Sequence, residues 1–141
     1  MKFPFIALTA LAIAIPTALF AQDKPVLSTP RVEGAMSADG KLDEPFWQQA
    51  AVTDIAYETS PGENIPASVK TKVYIVDAGK SLRVAFQAQD PDPSKILAIL
   101  RDRDSAFQDD FVGIQLDTFD TQQRAYEFFV SAAGVQMDLT L

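Results

Sequence analysis

The sequence contains no cysteine and no histidine among its 141 residues. These absences exclude disulfide bonds, thiol nucleophiles, imidazole bases and the side chains that most often bind zinc. No nucleophile motif is present either, so we expect the chain not to be an enzyme. A folded domain must therefore be stabilised by an apolar core, for which a hydrophobic content of 48% is sufficient.

Positive charge is also scarce. The 12 lysines and arginines are outnumbered by 19 aspartates and glutamates, which gives a formal net charge of −7. Nucleic-acid binding depends chiefly on clustered Lys and Arg side chains that neutralise phosphates, so we expect no nucleic-acid partner. An acidic surface is compatible with neutral ligands and with calcium.

The amino terminus has the features of a secretory signal peptide. A single basic residue precedes an uncharged apolar stretch over residues 3–20. Pro16 interrupts this stretch, and no cluster of positive charge follows it, which argues against an uncleaved membrane anchor. We expect cleavage after Ala21, with cleavage after Ala18 as the alternative. The signal peptide would then be residues 1–21, and the protein would be exported to the periplasm, the outer membrane or the cell surface.

The remaining sequence predicts one domain behind a short lead. Residues 22–30 contain two prolines and predict an extended segment. Residues 31–141 predict a β-sandwich. Because residues 135–141 still alternate apolar and polar side chains where the sequence stops, we expect a truncated domain whose sheet continues in a longer protein.

Alternation of apolar and polar residues is the main structural signal of the domain. It is clearest over residues 81–90, where Leu82, Val84 and Phe86 share one face. A short helix is predicted over residues 42–50, with Asp43 as its cap. Residues 95–100 fit helical spacing about as well as alternation, and we favour a strand. The other predicted strands are 31–37, 71–77, 111–117, 125–131 and 135–141, with a loop over 59–68.

Strands that recur at short intervals with almost no helix are typical of an all-β protein, here an antiparallel β-sandwich of jelly-roll-like type with one short helix. A parallel α/β fold would need crossover helices, for which the sequence has no room.

Several ordered motifs resemble one family. Residues 39–47, DGKLDEPFW, resemble the opening signature of the family 9 carbohydrate-binding modules. PASVKT at 66–71, LRVAF at 82–86 and DDFVGI at 109–114 continue the resemblance in order. Residues 101–136 are similar to the amino-terminal module of long bacterial surface proteins, in which it precedes a predicted outer-membrane β-barrel.

This resemblance implies a sandwich that binds a polysaccharide or oligosaccharide and, as in some relatives, holds calcium. It also implies a downstream domain of the same full-length chain as a partner, with an outer-membrane β-barrel as one form of it. Relatives that bind sugar clamp it between two tryptophans, whereas this chain has only Trp47. We expect Trp47 to fill the core beside Phe46.

The candidate ligand site combines arginines, aspartates and aromatic residues. Two guanidinium groups among carboxylates offer the donors and acceptors that sugar hydroxyls require. A solvated loop with weak surface ion pairs explains the same residues, and Tyr126, a further stacking candidate, also fits core spacing. The candidate ligand-binding residues are Arg101, Asp102, Arg103, Asp104, Phe107, Asp110 and Phe119.

Calcium would require several oxygen ligands that converge from flexible loops. None of the acidic residues has the spacing of an EF-hand, and Asp-Pro-Asp-Pro is also an ordinary turn sequence. The candidate metal ligands are Asp90, Asp92, Asp109 and Asp110, with Asp117 and Asp120 in reserve.

We therefore expect a non-catalytic carbohydrate-binding module of an exported bacterial protein involved in polysaccharide recognition or breakdown. Asp109 and Asp110 are a poor glycosidase pair, because adjacent side chains of a strand point to opposite faces. Any glycoside hydrolysis would belong to another part of the full-length chain. The alternative is a structural or assembly module that packs against an outer-membrane β-barrel and binds no sugar.

Overall fold

The computed structural model describes residues 26–141. The predicted signal peptide and the first residues of the predicted lead lie outside the described residues. Within 26–141, no helix has the length and apolar character needed to cross a membrane.

The described residues form two antiparallel sheets of three strands each. The first sheet has the order β1-β2-β3 and the second the order β4-β5-β6, so each is a meander in sequence order. The predicted all-β, antiparallel, sandwich-like fold is confirmed. The elements are a 3-10 helix at Pro45–Gln49, β1 (Ala51–Glu58), β2 (Ile65–Asp77), β3 (Leu82–Gln89), a 3-10 helix at Pro93–Lys95, β4 (Phe111–Leu116), β5 (Tyr126–Ser131) and β6 (Gln136–Thr140).

The hairpin between β2 and β3 shows how local sequence sets the register. Gly79 has a φ of +84°, which a residue without a Cβ adopts at little cost. The Asp77 carboxylate accepts the Gly79 N–H at 2.6 Å and closes the turn. In the resulting register Val84 lies opposite Ile75, so apolar side chains of both strands share a face.

Within residues 26–141, most of the buried apolar residues lie in two separate clusters. One lies on the first sheet, where Val76 packs with Val32, Phe46 and Trp47. The other lies on the second sheet and contains Ala106, Val135 and Met137, with Phe129 packed against it. Each sheet is thus covered on one face by the loop or 3-10 helix that precedes one of its strands.

An apolar cleft of about 530 Å³ separates the two sheets. Side chains in its walls remain accessible to water, and Leu82 and Phe128 are 45% and 50% exposed. The space between the sheets is therefore only partly filled. Apolar residues that line it are Leu82, Val84 and Phe86 of β3, Val112, Ile114 and Leu116 of β4, and Phe128 and Val130 of β5.

Two predicted strands are wrong. Over residues 31–37 only Arg31 pairs with the sheet, through a single parallel bridge to Asp77. Residues 95–100 contain the end of a 3-10 helix and then an irregular segment. The N–H groups of Leu97 and Ile99 bond to carboxylates that lie further along the chain instead of to a neighbouring strand.

Other boundaries also differ from the prediction. β1 was not predicted, and β2 begins at Ile65, inside the predicted loop. The predicted helix is only the five-residue 3-10 helix Pro45–Gln49, and its N-cap is Glu44, not Asp43.

Candidate functional site

The segment before β4 is organised by an ion pair between Arg101 and Asp109. Arg101 Nε donates to both carboxylate oxygens of Asp109 at 3.2 Å, and Arg101 Nη2 lies 3.2 Å from Oδ1. The Asp109 side chain has 0% exposure, whereas that of Arg101 is 36% exposed. The hydrogen bond from Arg101 lowers the pKa of Asp109; burial opposes this shift, and the Ile99 N–H adds to it. Asp109 therefore serves as the buried anchor of a partly exposed guanidinium.

Asp110 anchors the same irregular segment from a second point. Its carboxylate accepts the Leu97 N–H at 2.7 Å, and its main-chain N–H donates to the Leu97 carbonyl at 3.0 Å. The adjacent residues Asp109 and Asp110 thus bind different residues of the segment, as expected for neighbouring side chains that diverge.

Arg103 and Asp104 both bind β6. Arg103 Nη1 donates to Gln136 Oε1 at 2.9 Å, and its Nη2 donates to the carboxylate of Asp138. The Asp104 N–H donates to the Gln136 carbonyl at 3.0 Å, and Asp104 Oδ1 accepts the Asp138 N–H at 3.0 Å. Asp104 has a φ of +62°, which turns the main chain away after this contact.

Arg101 and Arg103 share a shallow depression of about 260 Å³, which we call the arginine depression. Its walls come from the loop before β4 and from the turn that leads into β6. It is lined by Leu100, Arg101, Arg103, Gly134, Val135 and Gln136. Asp102 is exposed beside it, and its carbonyl accepts a hydrogen bond from the Ser105 hydroxyl at 2.6 Å.

The structure separates Phe107 and Phe119, two of the three predicted stacking aromatics. Phe107 is 36% exposed and contacts Phe111 and Phe129 edge-on, with ring centroids 6.2 and 6.1 Å apart. Phe119 is 76% exposed and lies in the connection that follows β4. Asp110 precedes β4, so the length of this strand places Phe119 roughly 17 Å or more away from it. Phe119 does not belong to the arginine depression.

The candidate metal ligands also make local contacts. Asp92 donates its N–H to Asp90 and binds Ser94 Oγ at 2.6 Å and Lys95 Nζ at 3.0 Å with its carboxylate. The hydrogen bond from Ser94 is the main reason that the pKa of Asp92 is lowered. Among residues 26–141, the structure brings together no three acidic side chains that could hold a metal ion.

Comparison with known proteins does not add to this geometry. The chain matches no protein-family model, no curated protein and no solved structure.

Trp47 is a core residue, as predicted. It is 7% exposed and packs against Phe46 with ring centroids 5.0 Å apart. Its indole Nε1 donates to Glu44 Oε2 at 2.9 Å, and the other oxygen of Glu44 accepts the Ser37 N–H at 2.8 Å. Glu44 was not among the predicted functional residues.

Two β6 residues of the site were also not predicted. Gln136 and Asp138 hold Arg103 from a distance of more than thirty positions in sequence. The only signal in the sequence was their polar character at alternating positions of a predicted strand.

Proposed function

We propose that the chain is a non-catalytic carbohydrate-binding module of an exported bacterial protein and that it recognises a polysaccharide or oligosaccharide at the arginine depression. The observation that carries this proposal is that two guanidinium groups line one depression while carboxylates fix both of them. Sugar hydroxyls accept hydrogen bonds, and a guanidinium carries five N–H donors in a rigid plane.

The anchoring contacts leave donors for a ligand. Asp109 engages Nε and Nη2 of Arg101, and the Arg101 side chain remains 36% exposed. The Arg103 side chain is 56% exposed although it binds Asp138. Because both groups are already held in place, a ligand would not have to order them, which favours binding.

The size of the depression limits the ligand that it can hold. About 260 Å³ lies below the range of roughly 300–1,000 Å³ that is usual for drug-sized ligands. We therefore expect contact with one sugar unit, such as the end of an oligosaccharide. A polysaccharide would then be bound more tightly only if several of its chain ends were bound at once or if further domains of the protein also bound it.

The test is glycan-array and affinity-gel binding with the wild-type chain and two variants. Arg101→Lys keeps the charge near Asp109 but loses the planar fork, and we expect binding to weaken about tenfold or more. Arg124→Ala removes an exposed arginine outside the arginine depression, and we expect unchanged binding. Absence of binding across plant, fungal and bacterial glycans, or equal binding by Arg101→Lys and the wild type, would refute the proposal.

A second candidate function is assembly, in which the chain packs against another domain of the full-length protein without binding sugar. The apolar cleft between the sheets favours it, because Leu82 and Phe128 leave water-exposed apolar surface there. Binding of an apolar fluorescent dye to the chain alone should be strong, and it should fall in the full-length product if another domain covers the cleft. Phe128→Ser should lower dye binding to the chain alone. Equal dye binding per molecule by both products would contradict assembly through the cleft.

A further inference from the structure

Among residues 26–141, β6 is the outer strand of its sheet, and Asp104 covers two main-chain groups of its outer edge. The Gln136 carbonyl and the Asp138 N–H both bond to Asp104, away from β5. An outer strand normally presents such groups to water, where a further strand is able to pair with them. At these two positions the groups are already occupied.

The bonding pattern of Asp104 imitates one residue of a parallel strand. In a parallel pair, a residue donates its N–H to one partner residue and accepts with its carbonyl the N–H two positions further along. Asp104 donates to Gln136 and accepts from Asp138 with the same spacing, but its side-chain oxygen takes the place of the carbonyl. Its φ of +62° then diverts the chain, so the imitation ends after one residue.

Arg103 strengthens this contact through side chains. It binds Gln136 and Asp138, the same two β6 residues that Asp104 binds through their main chain. It also lies 3.4 Å from the Asp104 carboxylate. A strand that approached β6 would have to displace both residues.

We propose that Arg103 and Asp104 form an edge guard that prevents β6 from pairing with a strand of a second copy of this chain. A second copy is the relevant partner, because self-association through an edge needs only one open strand on each molecule. The guard keeps the chain monomeric through this edge, whether or not the chain binds sugar.

The experiment compares the full chain with Arg103→Ala/Asp104→Gly by sedimentation velocity over a range of concentrations. Glycine removes the carboxylate that covers the Asp138 N–H and tolerates the positive φ, so the substitution frees this edge donor without backbone strain. We expect a monomeric wild type and a variant whose mean mass rises to at least twice the monomer value. The matched control is Asp92→Ala/Lys95→Ala, which should stay monomeric. It removes an ion pair in which Lys95 Nζ lies 3.0 Å from the Asp92 carboxylate, and neither residue contacts β6 through this pair.

A third variant locates the association. Asp138→Pro, added to the double variant, removes the N–H that Asp104 had covered, so a strand can no longer pair there, and we expect the monomer to return. Association that persists in this variant, or a folded double variant that remains monomeric at every concentration, would overturn the proposal.

Amide hydrogen exchange gives a readout that does not depend on association. At low concentration, the Asp138 N–H should lose its protection in Asp104→Gly and keep it in Asp104→Asn, which retains an oxygen acceptor. If the double variant does not fold, this single-residue comparison decides, and equal protection in the two variants would refute the edge guard.

Discussion

Arg101 holds Asp109 by both carboxylate oxygens at 3.2 Å, and the aspartate in this pair is shielded from water while the arginine is not. The negative charge thus belongs to the interior and the positive charge to the surface of the site. Such a carboxylate is costly to leave without its partner, because it cannot be solvated. The position of Arg101 is consequently determined from within the domain.

This pair predicts an acid-dependent loss of stability. Because the pKa of Asp109 is lowered from 3.8 in the folded state, its ionised form stabilises the fold at pH values above 3.8. That contribution disappears as the pH falls through the lowered value. We expect Asp109→Asn to be less stable near neutral pH and to show a flatter fall in the free energy of unfolding between about pH 5 and 2. Urea unfolding at several pH values measures both effects, with Asp43→Asn, an exposed residue, as the control.

A second prediction concerns the single tryptophan. Trp47 is 7% exposed and hydrogen-bonded, so its fluorescence should be blue-shifted in the folded chain and should report unfolding. Trp47→Ala should cost about 3–5 kcal/mol of stability because it leaves a large cavity. Phe119→Ala removes an aromatic ring that is 76% exposed and should cost less than about 0.5 kcal/mol. Thermal unfolding followed by circular dichroism compares the two, and similar losses would contradict the burial of Trp47.

A third prediction concerns Gly113 in β4. A Cβ at this position would lie 2.6 Å from the Phe128 carbonyl oxygen and against the Phe129 ring. Gly113→Ala should therefore destabilise the fold by about 1–3 kcal/mol through overpacking. Gly134→Ala meets no atom within 4 Å, but its φ of +81° is strained for alanine, so it should cost about 1 kcal/mol. Relief of the Gly113→Ala penalty by Phe129→Ala, measured in a double-mutant cycle, would confirm that the ring is one source of the clash.

The strands that the sequence predicted correctly are those in which apolar and polar residues alternate regularly. β3 and β4 are examples, since every second residue from Leu82 to Phe86 and from Val112 to Leu116 is apolar. β1 escaped prediction because its six central residues are all exposed, and only pairing with β2 makes it a strand. The segment at 95–100 was wrongly predicted as a strand because Asp109 and Asp110 accept two of its N–H groups, and alternation does not reveal partners so distant in sequence.

The candidate site was predictable to a similar degree. The proximity of Arg101 and Arg103 follows from their spacing, and the structure places both at one depression. Their contacts with residues distant in sequence could not be predicted. Asp138 contacts Arg103 because the turn after β5 returns β6 to this end of the sheet. Phe119 lies at the other end of β4 and is therefore far from the two arginines.

Glu44 accepts two hydrogen bonds within the opening motif and the loop before it. One side chain joins the loop at Ser37 to the indole of Trp47, and Arg83 lies over the neighbouring Phe46 ring at 4.8 Å. The motif DEPFW thus holds the loop at Ser37 against the first sheet. This contact stabilises the fold whether or not a ligand binds, so similarity in this motif is evidence about the fold and not about what the protein binds.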